Sequence, residues 1–370
     1  MSVQIRVLIS GGGTGGHIFP AIAIADALKV AEPSIEILFI GAKGRMEMSR
    51  VPAAGYPIKG LWISGFQRRL TFRNLLFPIK LIWSAVQACL ILLRFRPHAV
   101  IGVGGYASGP MVYLASWFGI HTAIQEQNAL PGATNRLLGR RVRTVYTAYK
   151  GAGKYFDSQK IKCFGNPVRS FIHTGMQDRF QAASHFGLQQ SKKTILVFGG
   201  SLGAGVFNSC MEEAFDEIAK FSEEVQWIWQ SGQTYAERYA STKTASLPNV
   251  CFLPFIDAMD KAYALADLVI CRAGAMALSE LALLGKPCIL VPSPFVAEDH
   301  QTVNASELAK PGAAIMISQA EAPSRLILTA LQVISDEHVL LNLSNAIKTF
   351  AHNDAATAIA NDLLGHIKEK

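Results

Sequence analysis

Two residues in this chain carry side chains that could move a proton in a loop built to hold an anion. His17 ends the run "GGTGGH" (Gly12 to His17), and Glu126 opens "EQN" (Glu126 to Asn128). A histidine titrates near neutrality, and here it stands at the mouth of a glycine turn. Such a turn after a strand lets backbone N–H groups approach a ligand closely. The helix that follows adds unpaired N–H groups and a partial positive charge at its start. That positive end disfavours an imidazolium, which suits His17 to act as a base. It could equally donate a hydrogen bond to a bound diphosphate or cap the helix. Glu126 could be a base or could position Asn128.

The same turn recurs. "GGYASG" (Gly104 to Gly109), "GGSLGAG" (Gly199 to Gly205) and "RAGAMALSE" (Arg272 to Glu280) each follow a strand-like run. Gly11, Gly13 and Gly16 satisfy the dinucleotide spacing G-x-G-x-x-G, but the second strand ends in Gly41-Ala42-Lys43, where that reading needs a ribose-binding acid. The nearest acid is Glu47. The P-loop reading fails as well, because His17 stands where its lysine belongs. Nicotinamide oxidoreduction is therefore disfavoured. Glu298, Asp299 and His300 have the spacing of metal ligands, but no second cluster accompanies them; they read as loop residues of a ligand site.

The elements that must carry these turns alternate. "QIRVLI", "IEILFIG", "AVIGVGG", "TAIQEQN" and "TVYTAY" are strand-like in the first half, with helical spacing from Pro20 to Ala31. "KTILVFGG", "VQWIWQSG", "ADLVICRAG" and "GKPCILVP" restart the series in the second. Alternation of strands and helices implies parallel sheets covered on both faces. Two doubly wound α/β domains are expected, 1–166 and 167–345, with a terminal helix of about 346–370 able to pack on the first. If both sheets point their carboxyl ends inward, the turns face each other across a cleft.

Half of the 370 residues are hydrophobic and 17% are charged, which supports buried cores. The formal charge of +8 suits an anionic partner. No nucleic-acid motif accompanies it. The six cysteines form no C-x-x-C pair, as expected of reduced, buried thiols. The N-terminus does not resemble a signal peptide. One segment stands apart, Arg68 to Pro97, where Leu75, Ile79, Ile82, Trp83, Val86, Leu90 and Leu93 lie between basic flanks with no acid. Its longest uncharged run is 13 residues, against roughly 20 for a spanning helix. It reads either as a core-facing helix or as an interfacial membrane contact.

Taken in order, "GGTGGH", "GVGGYASGP", "EQN", "GNPVR", "GGSLGA", "CRAGA…SE" and "EDHQ…NA" resemble the MurG family of N-acetylglucosaminyltransferases over nearly the whole chain. The resemblance implies a GT-B fold, two Rossmann-like domains with a cleft between them. It also implies inverting, metal-independent transfer of N-acetylglucosamine from UDP-GlcNAc to lipid I, undecaprenyl-pyrophosphoryl-MurNAc-pentapeptide. The new bond is β-1,4, and no cofactor beyond the substrates is involved; the chain has no D-x-D motif.

The site follows residue by residue from the resemblance. Thr14, Gly15, Gly16, Asn128, Arg169, Ser201, Ile256, Gln301, and Gly274, Ala275, Met276, Ala277, Leu278 and Ser279 are implied donor contacts. Glu280 is implied at the ribose. Gly13, Gly104, Gly105 and Tyr106 are implied at the acceptor diphosphate, with His17 or Glu126 as base. The Leu75–Leu93 segment, together with Trp117, is implied at anionic lipids on the cytoplasmic face of the inner membrane, beside other cell-wall synthesis proteins. Three positions depart from the common pattern: Gln125 where histidine is frequent, Ala277 where threonine is, and Leu202 where glutamine is. Gln125 removes a base at its position. Related sugar-nucleotide enzymes of the same fold, a diacylglycerol glycosyltransferase or a UDP-GlcNAc epimerase, are the alternatives.

Overall fold

The computed structural model describes residues 4–64, 77–168, 178–200 and 202–369. The backbone divides into two units, 1–169 with 352–370, and 170–351. In the first, strands β1 (Arg6–Ser10), β2 (Glu36–Ala42), β3 (Ile58–Leu61), β4 (Ala99–Gly102), β5 (His121–Glu126), β6 (Thr144–Thr147) and β7 (Ile161–Cys163) form one sheet in the order β3-β2-β1-β4-β5-β6-β7. Every pairing is parallel. The strands read as unbroken apolar runs because both faces are covered.

Alternate residues serve opposite cores. Val7, Ile9, Phe39 and Ile101 face helix α1 (Gly15–Ala31), while Leu8, Leu38, Val100 and Ile124 belong to the cluster on the other face. α1 contributes Ile18, Ala21, Ile24, Ala25 and Leu28 at helical spacing. It begins at Gly15, earlier than the apolar pattern from Pro20 indicates, because Thr14 leaves the turn extended (φ −142°, ψ 158°) and the helix follows at once. Its first turn is therefore glycine.

In the second unit, β8 (Lys193–Phe198), β9 (Val225–Gln230), β10 (Val250–Leu253), β11 (Leu268–Cys271), β12 (Cys288–Leu290) and β13 (Ile315–Met316) run β10-β9-β8-β11-β12-β13, again all parallel. Trp227 and Trp229 anchor one core with Phe207, Leu326 and Ile334. In both sheets the strand order reverses at one place, between β1 and β4 and between β8 and β11. That is where an open parallel sheet leaves a crevice at its carboxyl ends. All four glycine turns read from the sequence sit at the ends of those four strands.

The terminal segment is not one helix. Glu337–Lys348 stays with the second unit, and the chain then passes through His352-Asn353-Asp354 into a separate helix, Ala355–Lys368, in the first. Ile359, Ala360, Leu363 and Leu364 bury against the core that α1 covers. Asp362 accepts from the Tyr146 hydroxyl at 2.9 Å and pairs with Lys162.

Helix α2 spans Glu47–Ala53, α3 Phe77–Phe95 and α4 Ser108–Trp117. The core-facing reading of α3 fails. Its inward residues are Ser84, Ala88 and Leu92. Ile82 is 67% exposed, and Ile79, Trp83, Val86, Leu90 and Leu93 are exposed beside it. α3 is long and apolar enough by composition to span a membrane, but Ala88 and Leu92 are part of the unit's core. Trp117 (67% exposed) and Phe118 extend the apolar surface of the unit, with the Arg141 guanidinium lying over the Tyr113 and Trp117 rings. Leu75 and the basic residues Arg68, Arg69 and Arg73 lie outside the described residues.

Candidate active site

In the first unit the turns after β1 and β4 are tied backbone to backbone. Gly11 N–H donates to Ile40 O (3.0 Å), Gly12 N–H to Gly104 O (3.3 Å) and Val103 N–H to Ser10 O (2.9 Å). Gly105 has φ +84°, and a Cβ there would strike the Gly12 carbonyl oxygen. Gly12 and Gly13 also have positive φ. Glycine is required here both by conformation and by clearance.

Beneath the turn lies Glu47, 1% exposed. One oxygen accepts from Ala42 N–H and the other from Gly13 N–H, both at 2.9 Å. Gly13, implied at the acceptor diphosphate, has its N–H already committed to this carboxylate, so Gly13 shapes the turn. The groups that open the helix are those of Gly15 and Gly16, since His17 and Ile18 N–H both close on Thr14 O. Glu47, the acid nearest the end of β2, is a brace. It sits four residues past Lys43, too far along to mark β2's end, and only the folded turn shows its partners.

His17 is half-buried. Its Nδ1 lies 3.2 Å from Thr14 Oγ1, and a Cβ at Gly104 would be 2.6 Å from its Cδ2 and 2.7 Å from its Nε2. Glycine at 104 makes room for the ring. When Nδ1 carries the proton and donates to Thr14, Nε2 keeps its lone pair; the opposite tautomer makes Nε2 a donor. Tyr106, 52% exposed, stands on the same turn.

Glu126 is different. It is 2% exposed. Oε1 accepts from Asn128 N–H (3.0 Å) and Nδ2 (3.2 Å); Oε2 accepts from Gly132 N–H (3.2 Å) and Asn135 Nδ2 (2.8 Å). Burial pushes its carboxyl above the ordinary value, while those amide donors pull it back. Enclosed and fully occupied, Glu126 cannot reach a substrate hydroxyl. Its catalytic reading is set aside in favour of positioning half-buried Asn128. Gln127 Nε2 holds this loop to the second turn through Val103 O at 2.9 Å, and Gln125 bonds Asn166 of "GNPVR" at 3.0 Å. Gln125, Gln127 and Asn166 form one buried amide network that the sequence reading did not assign. Its only signal was a strand ending in polar residues.

In the second unit, Gly203 (φ +79°) packs on the Ser231–Gly232 backbone, where a Cβ would collide. Gln230, at the end of β9, donates to Gly200 O (2.8 Å) and accepts from Ile256 N–H (3.1 Å). The Ile256 N–H is thus spent within the protein; its side chain is 4% exposed. A backbone contact from Ile256 to a base would have to use its carbonyl oxygen.

Helix α5 (Ala275–Leu284) opens at Gly274 with no side-chain cap and no acid in its first turn. An anion would meet only the N–H groups there. Those on offer belong to Ala275, Met276 and Ala277, because Leu278 N–H bonds Gly274 O (3.1 Å) and its side chain is buried. The Leu278 assignment is corrected accordingly. Ser279 Oγ bonds Ala275 O at 3.0 Å. Glu280, 3% exposed, accepts from Tyr263 Oη at 3.0 Å. Asn304 Nδ2 fixes Ala273 O (3.2 Å), and the Arg272 guanidinium holds Val291 O, Pro292 O and Gln319 Oε1. Helix α6 (His300–Ala309) carries Gln301, whose Oε1 accepts from Ser293 N–H at 2.9 Å. Glu298 and Asp299 before it both have positive φ. Among the described residues no three His, Cys, Asp or Glu side chains are grouped to hold a metal ion. Arg169 and Ser201 lie outside the described residues.

The comparisons with known proteins agree with this arrangement. Residues 7–147 match the N-terminal domain model of glycosyltransferase family 28, and residues 194–359 match its C-terminal domain model. A Phocaeicola vulgatus protein named UDP-N-acetylglucosamine–N-acetylmuramyl-(pentapeptide) pyrophosphoryl-undecaprenol N-acetylglucosamine transferase is 47% identical over 98% of this chain and 96% of its own. The chain belongs to glycosyltransferase family 28. Within that family, the crystal structure of Acinetobacter baumannii MurG superimposes with a TM-score of 0.77 at 27% identity, over 98% of this chain and 100% of that one. The resemblance to MurG and the GT-B fold class are thereby borne out. A UDP-GlcNAc 2-epimerase from Neisseria meningitidis matches with a TM-score of 0.69 at 13% identity, over 98% of this chain and 100% of its own, which shows the shared fold alone.

The Glu47 brace is testable. Glu47→Ala leaves two N–H groups without their acceptor, and each such loss costs about 1–3 kcal/mol. Urea unfolding should show a destabilisation of about 2–4 kcal/mol. A loss below about 1 kcal/mol would mean that the carboxylate does not hold the turn.

Proposed function

We propose that this family 28 enzyme transfers N-acetylglucosamine from UDP-GlcNAc to MurNAc-pentapeptide pyrophosphoryl-undecaprenol. The observation that carries the reading is the 47% identity over nearly the full length of a relative named for that reaction. The second unit takes the donor. The start of α5, with Ala275, Met276 and Ala277, receives the diphosphate, aided by the glycine turn after β8; Ser201 and Arg169 join it on the family motif. Glu280, held by Tyr263, meets the ribose, and Gln301 the transferred sugar. The first unit takes the acceptor diphosphate at Gly104, Gly105 and Tyr106, and its Thr14, Gly15, Gly16 and Asn128, the last set by Glu126, add contacts to the donor.

The reaction is a single displacement with inversion. The acceptor hydroxyl attacks the anomeric carbon, the bond to UDP breaks, and UDP leaves with the electron pair. His17 takes the hydroxyl proton at Nε2 while Thr14 accepts from Nδ1. Helix-start N–H groups and arginine supply the positive potential for the leaving diphosphate, so no metal is required. α3 lies in the membrane interface with its apolar face down, where the lipid acceptor resides.

Pure protein with UDP-GlcNAc, the lipid acceptor and a chelator should release UDP one-for-one with disaccharide. No product under those conditions, or turnover without the lipid, would sink the assignment in favour of an epimerase or another transferase. His17→Ala should lower kcat by about 10²–10⁴-fold. A change confined to KM for the lipid would instead make His17 a phosphate donor. For the membrane contact, Ile82→Glu with Trp83→Glu should reduce flotation with phosphatidylglycerol vesicles severalfold while leaving UDP-GlcNAc binding intact. Unchanged flotation would remove α3 from the interface.

A further inference from the structure

Two arginines flank β11 and are treated in opposite ways. At its amino end, Asp267 takes a bidentate contact from Arg179 at 2.9 and 3.2 Å, so both charges are neutralised. At its carboxyl end, Arg272 opens the turn that leads into α5. The Arg272 guanidinium reaches sideways over the ends of the next two strands. Nη1 donates to Val291 O (3.0 Å) and Pro292 O (3.1 Å), where the chain leaves β12. Nη2 donates to Gln319 Oε1 at 2.7 Å, just beyond β13. The group also lies 5.2 Å from the centre of the Phe207 ring, on the helix Gly205–Glu213 that follows the glycine turn after β8.

Every one of those partners is neutral. Among the described residues, no carboxylate pairs with Arg272. Glu321, two residues past Gln319, is turned to Ser318 and Arg325 instead. A glutamate at 319 would have the same reach and would complete an ion pair, but the chain has glutamine. Burial lowers the affinity of the guanidinium for its proton, yet an arginine stays charged. A half-buried cation held this way is costly until an anion arrives. The adjoining start of α5 has no acid in its first turn. The carboxyl end of β11 therefore joins a full charge to a helix-start partial charge of the same sign.

We propose that Arg272 is the fixed cation of the donor site, held without a counterion so that the diphosphate supplies one. This rests on the reading that the donor diphosphate sits at the start of α5. Arg272 is a positioning residue there. It clamps the exits of β12 and β13, and the first leads at once to Ser293, whose N–H is held by Gln301. Its charge also raises the potential at the helix start. When the bond from the anomeric carbon to UDP breaks, the electron pair stays on the diphosphate. A cation already in place stabilises that charge without reorganising. Glutamine at 319 keeps the cation unspent.

Titration of the full-length protein with UDP and with uridine tests this. Gln319→Glu retains the hydrogen bond but gives Arg272 a carboxylate. It should weaken UDP about tenfold, change uridine less than about twofold and lower kcat, with no loss of melting temperature. Arg272→Lys keeps the charge and should bind UDP more tightly than Arg272→Gln, which does not. Unchanged UDP affinity in Gln319→Glu would overturn the proposal. Equal weakening of UDP and uridine would make Arg272 a brace alone and would overturn it too. If the unaltered protein binds UDP no more tightly than uridine, the placement of the diphosphate itself fails, and the proposal with it.

Discussion

The closest constraint in this molecule is the crossing of two backbones, Gly105 over the carbonyl of Gly12. Neighbouring parallel strands run about 4.8 Å apart. Where β1 and β4 end side by side and their connections diverge to opposite faces, the two turns must pass with no side chain between them. Glycine at both places allows the crossing, and glycine at 104 leaves room for the His17 ring. The second unit meets the same demand between different strands, with Gly203 against Gly232. Any residue with a Cβ would force the turns apart and carry the ligand groups with them.

Such turns are stiffened by buried polar side chains from the strands, loops and helices around them. Glu47, Gln127, Gln230 and Asn304 bind backbone groups of Gly13, Val103, Gly200 and Ala273 respectively. A buried polar group that lost its partner would cost about 1–3 kcal/mol, so each brace holds its turn in one geometry. N–H groups fixed in advance need not reorganise when charge develops on a leaving diphosphate. The braces also decide which donors remain available. Gly13 and Ile256 have theirs spent, whereas the first turn of α5 has not.

α3 shows the limits of a periodic pattern. Apolar residues at helical spacing mark one face, but the pattern is silent on which side of the helix meets protein. Small residues, Ser84 and Ala88, let the helix sit close to the first unit, and the bulky stripe is turned outward. The turns, the alternation of strands and helices, and the two-sheet architecture were legible because each depends on local residue types. The ordered motifs carried the family for the same reason. The terminal helix was legible as a helix able to pack on the first unit, but neither its division into two nor its contact with α1 was, because docking depends on residues more than 200 positions away, as in the Tyr146–Asp362 bond.

The chain's sequence alone determined that four glycine turns follow strands, that no ribose acid ends β2, and that His17 follows the first turn. These are statements about neighbours in the chain, where backbone conformation and residue type suffice. Only the tertiary structure decided that Glu126 is enclosed and His17 half-buried, and that Glu47 consumes the Gly13 N–H. Burial and hydrogen-bond partnership are set by residues distant in sequence, and a side chain's chemistry is fixed by what surrounds it.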